Sequence, residues 1–372
     1  MSVSKMKHCI CNKEYILAKI TGNPRALSVT EVNKIRLALF TERNSDGTGS
    51  LILRGNDLIQ RYNIRIQDSD ITAITKYIKT NPKRITKLKL CYNNITDKGF
   101  YYLLKRCLVK ERSSLIYLDV MNNELSEKSM LLLSKYAKLI RLKHLRISGN
   151  DVGTKGGEYF SQFLRKNDTV EYCDIGQTGQ TLTSLPFIFT ALLQQYDGNT
   201  TLKCLHLDRV IPLFNRYPYE TKWLAYHLEN LLEHNSTLIE LRLQKNELNG
   251  HDIAYLVRGL QRNKTLLYLD LNYNKIGPHG AELLGKYLET CPSLLLLHLA
   301  GNGIKDMGAR ALNILNTLKK PFYLKYLYIW GNQVGGKSLP MYISLIYALW
   351  LSCFYDTSTL VALYRIVYLK KN

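Results

Sequence analysis

The chain has 372 residues, 46% of them hydrophobic and 22% charged, with a formal net charge of +21. The opening Met1-Ser-Val-Ser-Lys-Met-Lys-His8 contains no apolar run, which argues against secretion. The eight cysteines include Cys91, Cys173 and Cys204 within strand patterns, and they read as reduced, mostly buried thiols of a cytosolic or nuclear protein. The charge is uneven: residues 1–150 carry 28 Lys/Arg against 12 Asp/Glu, and residues 151–372 carry 23 against 18.

In chain order, residues 1–50 lack any repeat and suit a partly helical N-terminal cap. Ser28-Val-Thr-Glu31 has the form of a capping box that opens a helix with Val32, Ile35, Leu39 and Phe40 apolar. The polar run at 44–49 reads as a turn or loop. Residues 51–84 form a degenerate first repeat, with Leu51 and Leu53 in a strand and Ile71, Ile74 and Ile78 on a helix that ends before Pro82.

From 85 to 338 one pattern recurs nine times, L-x-x-L-x-L-x-x-N, as in Leu266-Leu-Tyr-Leu269-Asp-Leu271-Asn-Tyr-Asn274. The slot residues Asn93, Asn123, Asn150, Thr178, Val210, Asn246, Asn274, Asn302 and Asn332 are separated by 30, 27, 28, 32, 36, 28, 28 and 30 positions. Alternating apolar residues before each slot predict a short strand with one buried face, and helical spacing after it predicts a helix. One strand and one helix cannot bury their own apolar sides, so the units must stack. The expected fold is therefore an α/β solenoid, a leucine-rich repeat horseshoe with a parallel sheet on the concave face and helices on the convex face.

Each slot asparagine is expected to satisfy backbone groups of neighbouring turns. Thr178 and Val210 lack that amide, which marks 170–237 as the irregular stretch. Gly99, Gly156, Gly280 and Gly308 are expected to let the chain turn closely into each helix. Asn167, Asn199, Asn235 and Asn263 each begin an N-x-T sequence. They recur in phase with the repeat, so they read as helix-to-strand turns and not as glycosylation sites. The long step before Asn246 contains an insertion whose Phe214, Tyr217 and Tyr219 suit a recognition loop. Residues 339–372 form an apolar cap or tail. Its uninterrupted run, 341–355, is shorter than the roughly 20 residues that span a bilayer, so no membrane partner is expected.

Motifs for chemistry do not converge. Gly331-Asn-Gln-Val-Gly-Gly336-Lys337-Ser338 has the phosphate-loop spacing, but Asn332 and Val334 already serve the ninth repeat. His144, His206 and His298 fall on separate strands, and Cys9-Ile-Cys11 lacks partners for zinc. The chain is therefore expected to be no enzyme, with no catalytic residues, no small-molecule substrate, no metal and no cofactor.

The outward strand positions are richer. Charged residues there nearly cancel, and aromatic and arginine side chains of the kind that dominate protein interfaces recur: Tyr117, Arg146, Tyr172, Arg242, Tyr268, Tyr273, Tyr326, Tyr328 and Trp330. These are the candidate partner-binding residues of the concave face. A second candidate surface is basic, with Lys105, Arg106, Lys110, Arg112, Arg141 and Lys143 near helix ends. It reads either as a solvated face or as a docking surface for an acidic partner.

The phase L-x-x-L-x-L-x-x-N-x-I-x-x-x-G, with N-x-T-L before the strand, resembles the ribonuclease-inhibitor class of leucine-rich repeats. Leu327-Tyr-Ile-Trp-Gly-Asn332, Leu207-Asp-Arg-Val-Ile-Pro212, Leu115-Ile-Tyr-Leu118 and Leu266-Leu-Tyr-Leu269-Asp are similar to one family within that class. The resemblance runs from about residue 50 to residue 348; beyond that, an apolar tail replaces the family's polar ending. It implies a non-enzymatic protein of nucleus, nucleolus and cytoplasm, linked to germ or stem cells and to ribosome biogenesis. No functional residue carries over with it. The expectation is an intracellular scaffold that binds protein on its concave face, with acidic nucleolar proteins as partners. Two alternatives stand: an RNA or ribonucleoprotein binder acting through the basic half, and a regulator of a small GTPase.

Overall fold

The structure, a computed structural model, describes residues 37–55, 65–81, 84–109, 113–211, 220–288, 290, 292–313, 324 and 326–333. The capping box, the insertion at 212–219, Lys110, Arg112 and the apolar tail lie outside the described residues. The chain divides into two compact units, residues 1–191 and 192–372.

In the first unit, β1 (Thr41–Arg43) pairs antiparallel with β2 (Gly49–Ile52). Every later pairing is parallel: β2 with β3 (Ile85–Lys89), then β4 (Tyr117–Asp119), β5 (His144–Arg146) and β6 (Tyr172–Asp174). Between them run α1 (Ile71–Thr80), α2 (Asp97–Leu103), α3 (Glu127–Lys135) and α4 (Gly153–Lys166), and α5 (Ser184–Thr190) follows β6. The second unit repeats the scheme. Its strands β7 (Cys204–His206), β8 (Glu240–Arg242), β9 (Tyr268–Asp270), β10 (Leu296–His298) and β11 (Tyr326–Tyr328) pair in parallel order. They alternate with α6 (Thr221–His234), α7 (Gly250–Arg262), α8 (Gly277–Leu288) and α9 (Asp306–Asn313).

The middle residue of each strand from β4 to β10, and the fourth residue of β3, faces the helices. Leu88, Leu118, Leu145 and Cys173 are in register in the first unit, and Leu205, Leu241, Leu269 and Leu297 in the second. All eight are fully buried. Burying a leucine stabilises by about 1.5–3 kcal/mol, so these stacks are a main cohesive force of each unit.

The slot asparagines form a second ladder. Asn274 Nδ2 donates to the Leu243 and Leu271 carbonyls, and its Oδ1 accepts the Asn246 and Leu248 amides. Asn93, Asn123, Asn150, Asn246, Asn302 and Asn332 repeat this with their own neighbours. Thr178 replaces the amide in part: its hydroxyl donates to the Ile175 carbonyl, while Gln180 Nε2 reaches the Thr178 and Gly153 carbonyls. The residue just before each slot has positive φ, from Tyr92 at 61° to Tyr273 at 58°, with glycine at 149, 301 and 331. This left-handed residue turns the chain off the strand.

A third ladder closes the helix-to-strand turns. Asn167, Asn199, Asn235 and Asn263 are each at most 4% exposed. Asn263 Nδ2 donates to the Leu232 and Asn235 carbonyls, and its Oδ1 accepts the Thr265 and Leu266 amides. These amides are occupied inside the protein, as the turn reading expects.

The glycine expectation needs correcting. Gly99, Gly156 and Gly280 lie inside the first turns of α2, α4 and α8 without positive φ. A Cβ on Gly280 would sit 2.5 Å from Ile276 Cγ2 and 3.0 Å from the Gly250 Cα, and one on Gly156 would sit 3.2 Å from the Glu127 Cα. The missing side chain lets a helix approach the preceding repeat, which is a packing role and not a turning one.

Helix starts are linked across repeats by Asp97, whose carboxylate accepts from the backbone amides and hydroxyls of both Ser126 and Ser129 at the start of α3. Burial works against its charge, but these bonds outweigh burial and hold the carboxyl below its usual range. Because the folded value is depressed, the contribution is full above the unfolded value near 4 and is lost as pH falls through the folded one. Asp97→Ala is expected to cost about 1–2 kcal/mol at pH 7, discounted for partial exposure, and progressively less below about pH 4. Urea unfolding across pH reads this; a cost that stays constant down to pH 2 contradicts it.

Candidate interaction surfaces

The sheet face turned away from the helices is built from the first and third residues of each strand. Parallel strands lie about 4.8 Å apart, so side chains at equivalent positions meet across repeats. In the first unit Arg146 lies between two carboxylates, with Nη1 3.3 Å from Asp119 Oδ2 and Nη2 3.0 Å from Asp174 Oδ2. The other carboxylate oxygens accept turn amides, Met121 N–H for Asp119 and Gly176 N–H for Asp174. Burial raises the Asp119 pKa, against the pull of Arg146. Beside this triad, Tyr117, His144 and Tyr172 form a row with ring centres 5.6 and 5.4 Å apart.

The second unit repeats the device. Arg242 lies between Asp208, at 2.9 Å, and Asp270, at 3.5 Å. Burial raises the Asp208 pKa. Asp270 goes the other way: hydrogen bonds from His298, the Asn272 amide and Gln244, with the charge of Arg242, outweigh burial and lower it. His206 Nε2 meets Glu240 Oε1 at 2.7 Å, both nearly buried. Tyr268, His298 and Tyr328 form an aromatic row of their own, at 5.1 and 4.5 Å.

This geometry revises several expectations. Arg146 and Arg242 hold the sheet face together as bridges, so their charge is not presented outward. Tyr172 is only 8% exposed because it packs on His144. Tyr117, Tyr268 and Tyr326 are half-buried. Tyr273, Tyr328 and Trp330 are open, at 56%, 37% and 67%. Tyr273 lies against the Gly301 backbone, where a Cβ would meet its ring at 2.6 Å, and Lys245 sits 5.3 Å from its ring centre. Sequence reading did not pair Asp119, Asp174, Asp208 and Asp270 with the arginines, although D/R/D at one strand position of β4, β5 and β6 was an available signal. Asp208 lies two residues past the position that Arg242 and Asp270 share, so the second unit offered no such signal.

The basic candidates divide. Arg141 pairs with Asp168 and Lys143 with Glu171, each at 3.1 Å. Lys105 packs over the Tyr136 ring at 4.1 Å, and Arg106 over Tyr102 at 5.9 Å. Among the described residues, no group of three or more His, Cys, Asp and Glu is arranged to hold a metal, and no helix is long and apolar enough to cross a membrane.

The family model described as "Leucine Rich repeat" matches residues 141–161, 262–285 and 290–312. No curated protein matches the chain in sequence. Among solved structures, the chain is similar to the yeast Rad7 and Elc1 complex, at 16% identity over 88% of this chain and 77% of that one, with a TM-score of 0.44. It is also similar to an internalin of Listeria monocytogenes, at 13% identity over 87% of this chain and 89% of that one, with a TM-score of 0.35. A third is actin-binding site 2 of leiomodin-1, at 19% identity over 44% of this chain and 87% of that one, with a TM-score of 0.34. By the three matched repeats and by the strand, asparagine and helix unit they share with the rest of the array, the chain is a leucine-rich repeat protein with an α/β solenoid fold.

Proposed function

We propose that the chain is a non-catalytic scaffold that captures a protein partner on the open sheet face of its second unit, through Tyr273, Tyr328 and Trp330. The observation that carries this reading is the exposure of those three rings, 56%, 37% and 67%, beside a strand–turn framework locked by hydrogen bonds. Exposed Tyr and Trp on a rigid support bind with little loss of side-chain freedom, which is why such residues dominate interface energetics. Tyr268 and Tyr326 lie on the same sheet face, which Arg242 braces further along between Asp208 and Asp270. Tyr117 is half-buried on the first unit's own sheet face, and Phe214, Tyr217 and Tyr219, which lie outside the described residues, are proposed as a second set of partner contacts.

The finer relationship we propose is with leucine-rich repeat-containing protein 34, on the segments around Leu115, Leu207, Leu266 and Leu327. With it go a nuclear, nucleolar and cytoplasmic location, acidic nucleolar partners, and a part in ribosome biogenesis or germ- and stem-cell regulation.

The test is capture of partners from germ or stem cells by the full chain. Tyr328→Ala/Trp330→Ala is expected to weaken the recovered partner about 30-fold, the effect of losing a central aromatic anchor. Trp223→Ala, removing a ring 54% exposed on α6, is expected to leave it unchanged. Full retention by the double variant refutes the reading.

A further inference from the structure

The helix ends of the first unit hold cations that the sheet face does not use. Past Leu103, α2 widens into a π turn, Leu104–Leu108, in which the Val109 amide reaches back to the Leu104 carbonyl. Such turns are uncommon and concentrate at functional positions, and this is the one π turn among the described residues. It buries Leu104, Cys107 and Leu108 while leaving Lys105 and Arg106 half-exposed.

The two cations join a cluster that bridges successive repeats. Arg106 lies over Tyr102, which meets Tyr101 edge-on at 5.7 Å. Lys105 lies over Tyr136, and Lys135 approaches the same ring at 5.8 Å. Lys138 is exposed two residues further on. Tyr101 and Tyr102 are 41% and 37% exposed. Among the described residues, none of Lys105, Arg106, Lys135 and Lys138 has a carboxylate within salt-bridge distance.

Basic residues near a helix C-terminus also suit the helix dipole, which alone would explain their type. The second unit shows that the dipole does not require free charge. There, Arg258 is held by both oxygens of Glu229, Arg262 by Glu233 and Lys286 by Glu282. The cations of α7 and α8 are neutralised, whereas Lys105 and Arg106 past α2 and Lys135 and Lys138 at and past the end of α3 have no such carboxylate among the described residues, and the first three lie beside the rings of Tyr102 and Tyr136.

We propose that this surface binds single-stranded nucleic acid. Lys105, Arg106, Lys135 and Lys138 would take the phosphates, and the open rings of Tyr101 and Tyr102 would receive unstacked bases. Cations alone would serve any polyanion. Rings interleaved with them favour a ligand that carries both phosphates and free base faces, which neither an acidic peptide nor an intact duplex offers.

The test uses the full chain and a fluorescent oligouridylate, read by anisotropy over a salt series. Changing Lys105, Arg106, Lys135 and Lys138 to glutamine is expected to weaken binding about tenfold or more. The slope of log affinity against log salt should shrink by about 0.7 for each phosphate that is no longer neutralised. Tyr102→Ala is expected to weaken binding about fivefold or more with the slope unchanged, because stacking releases no counterions. Circular dichroism matching the parent verifies the fold of both variants. The proposal is overturned if the charge variant keeps affinity and slope. It is also overturned if a duplex binds as tightly as the single strand, or if polyglutamate displaces the oligonucleotide equally well and Tyr102→Ala has no effect.

Discussion

Replacing Asn150 with alanine is expected to cost about 4 kcal/mol of stability, the summed penalty of several unmet buried polar groups at about 1–3 kcal/mol each. Asn150 is 2% exposed. Its Nδ2 donates to the Val120 carbonyl at 3.0 Å and the Ile147 carbonyl at 2.7 Å, and its Oδ1 accepts the Asn123 amide at 3.2 Å and the Leu125 amide at 3.1 Å. An alanine methyl meets none of these, and the backbone groups left behind face the interior of two repeats. Asn150→Asp is expected to fare no better: a carboxylate still accepts the two amides but cannot donate to the carbonyls, and it adds a buried charge. Asn123, whose side chain is partly exposed, should cost about half as much, because water reaches the gap. Urea unfolding followed by circular dichroism measures all three, and a loss below about 1.5 kcal/mol for Asn150→Ala would show that the ladder is not what holds the turns.

Arg146→Met is expected to destabilise by about 3–5 kcal/mol at pH 7, the cost of leaving buried charge without its partner. The change strands Asp119 and Asp174, whose side chains are 3% and 8% exposed. Burial already lifts the Asp119 pKa while Arg146 pulls it down, so removing the arginine lifts it further. The native state of the variant then binds more protons than the unfolded chain between the ordinary carboxylate value and the raised one. Its stability therefore falls as pH rises through that window, and the variant should recover part of its loss at pH 5. This is opposite in sign to the Asp97 dependence. Asp119→Asn/Arg146→Met/Asp174→Asn, which removes the whole triad, should cost much less than the single change. Denaturation at pH 5 and pH 7 decides it; a pH-independent loss would mean that Arg146 contributes packing alone.

The repeat was legible because its chemistry is local. Leu88, Leu118 and Leu145 sit at the same step of the same pattern, and a strand followed by a helix has one way to bury them. The asparagine slots were legible for a related reason, since a buried turn needs an amide and the amide recurs in phase. Gln180 was not, because it substitutes for a missing amide from outside the pattern. The glycines misled because Gly156 and Gly280 look alike whether they serve a turn or a close approach to the helix before.

By itself, the order of residues determined the stacked strand–helix architecture, the positions of the buried leucines and asparagines, and which side chains point off the sheet. Tertiary structure alone decided what those outward side chains do. Arg146 and Tyr172 look as available in sequence as Trp330, yet the strands about 4.8 Å away on either side of Arg146 each supply it with a carboxylate, and the strand beside Tyr172 supplies a histidine ring. Exposure on a repeat surface depends on residues some 28 positions distant, and the pattern within a single repeat carries no record of them.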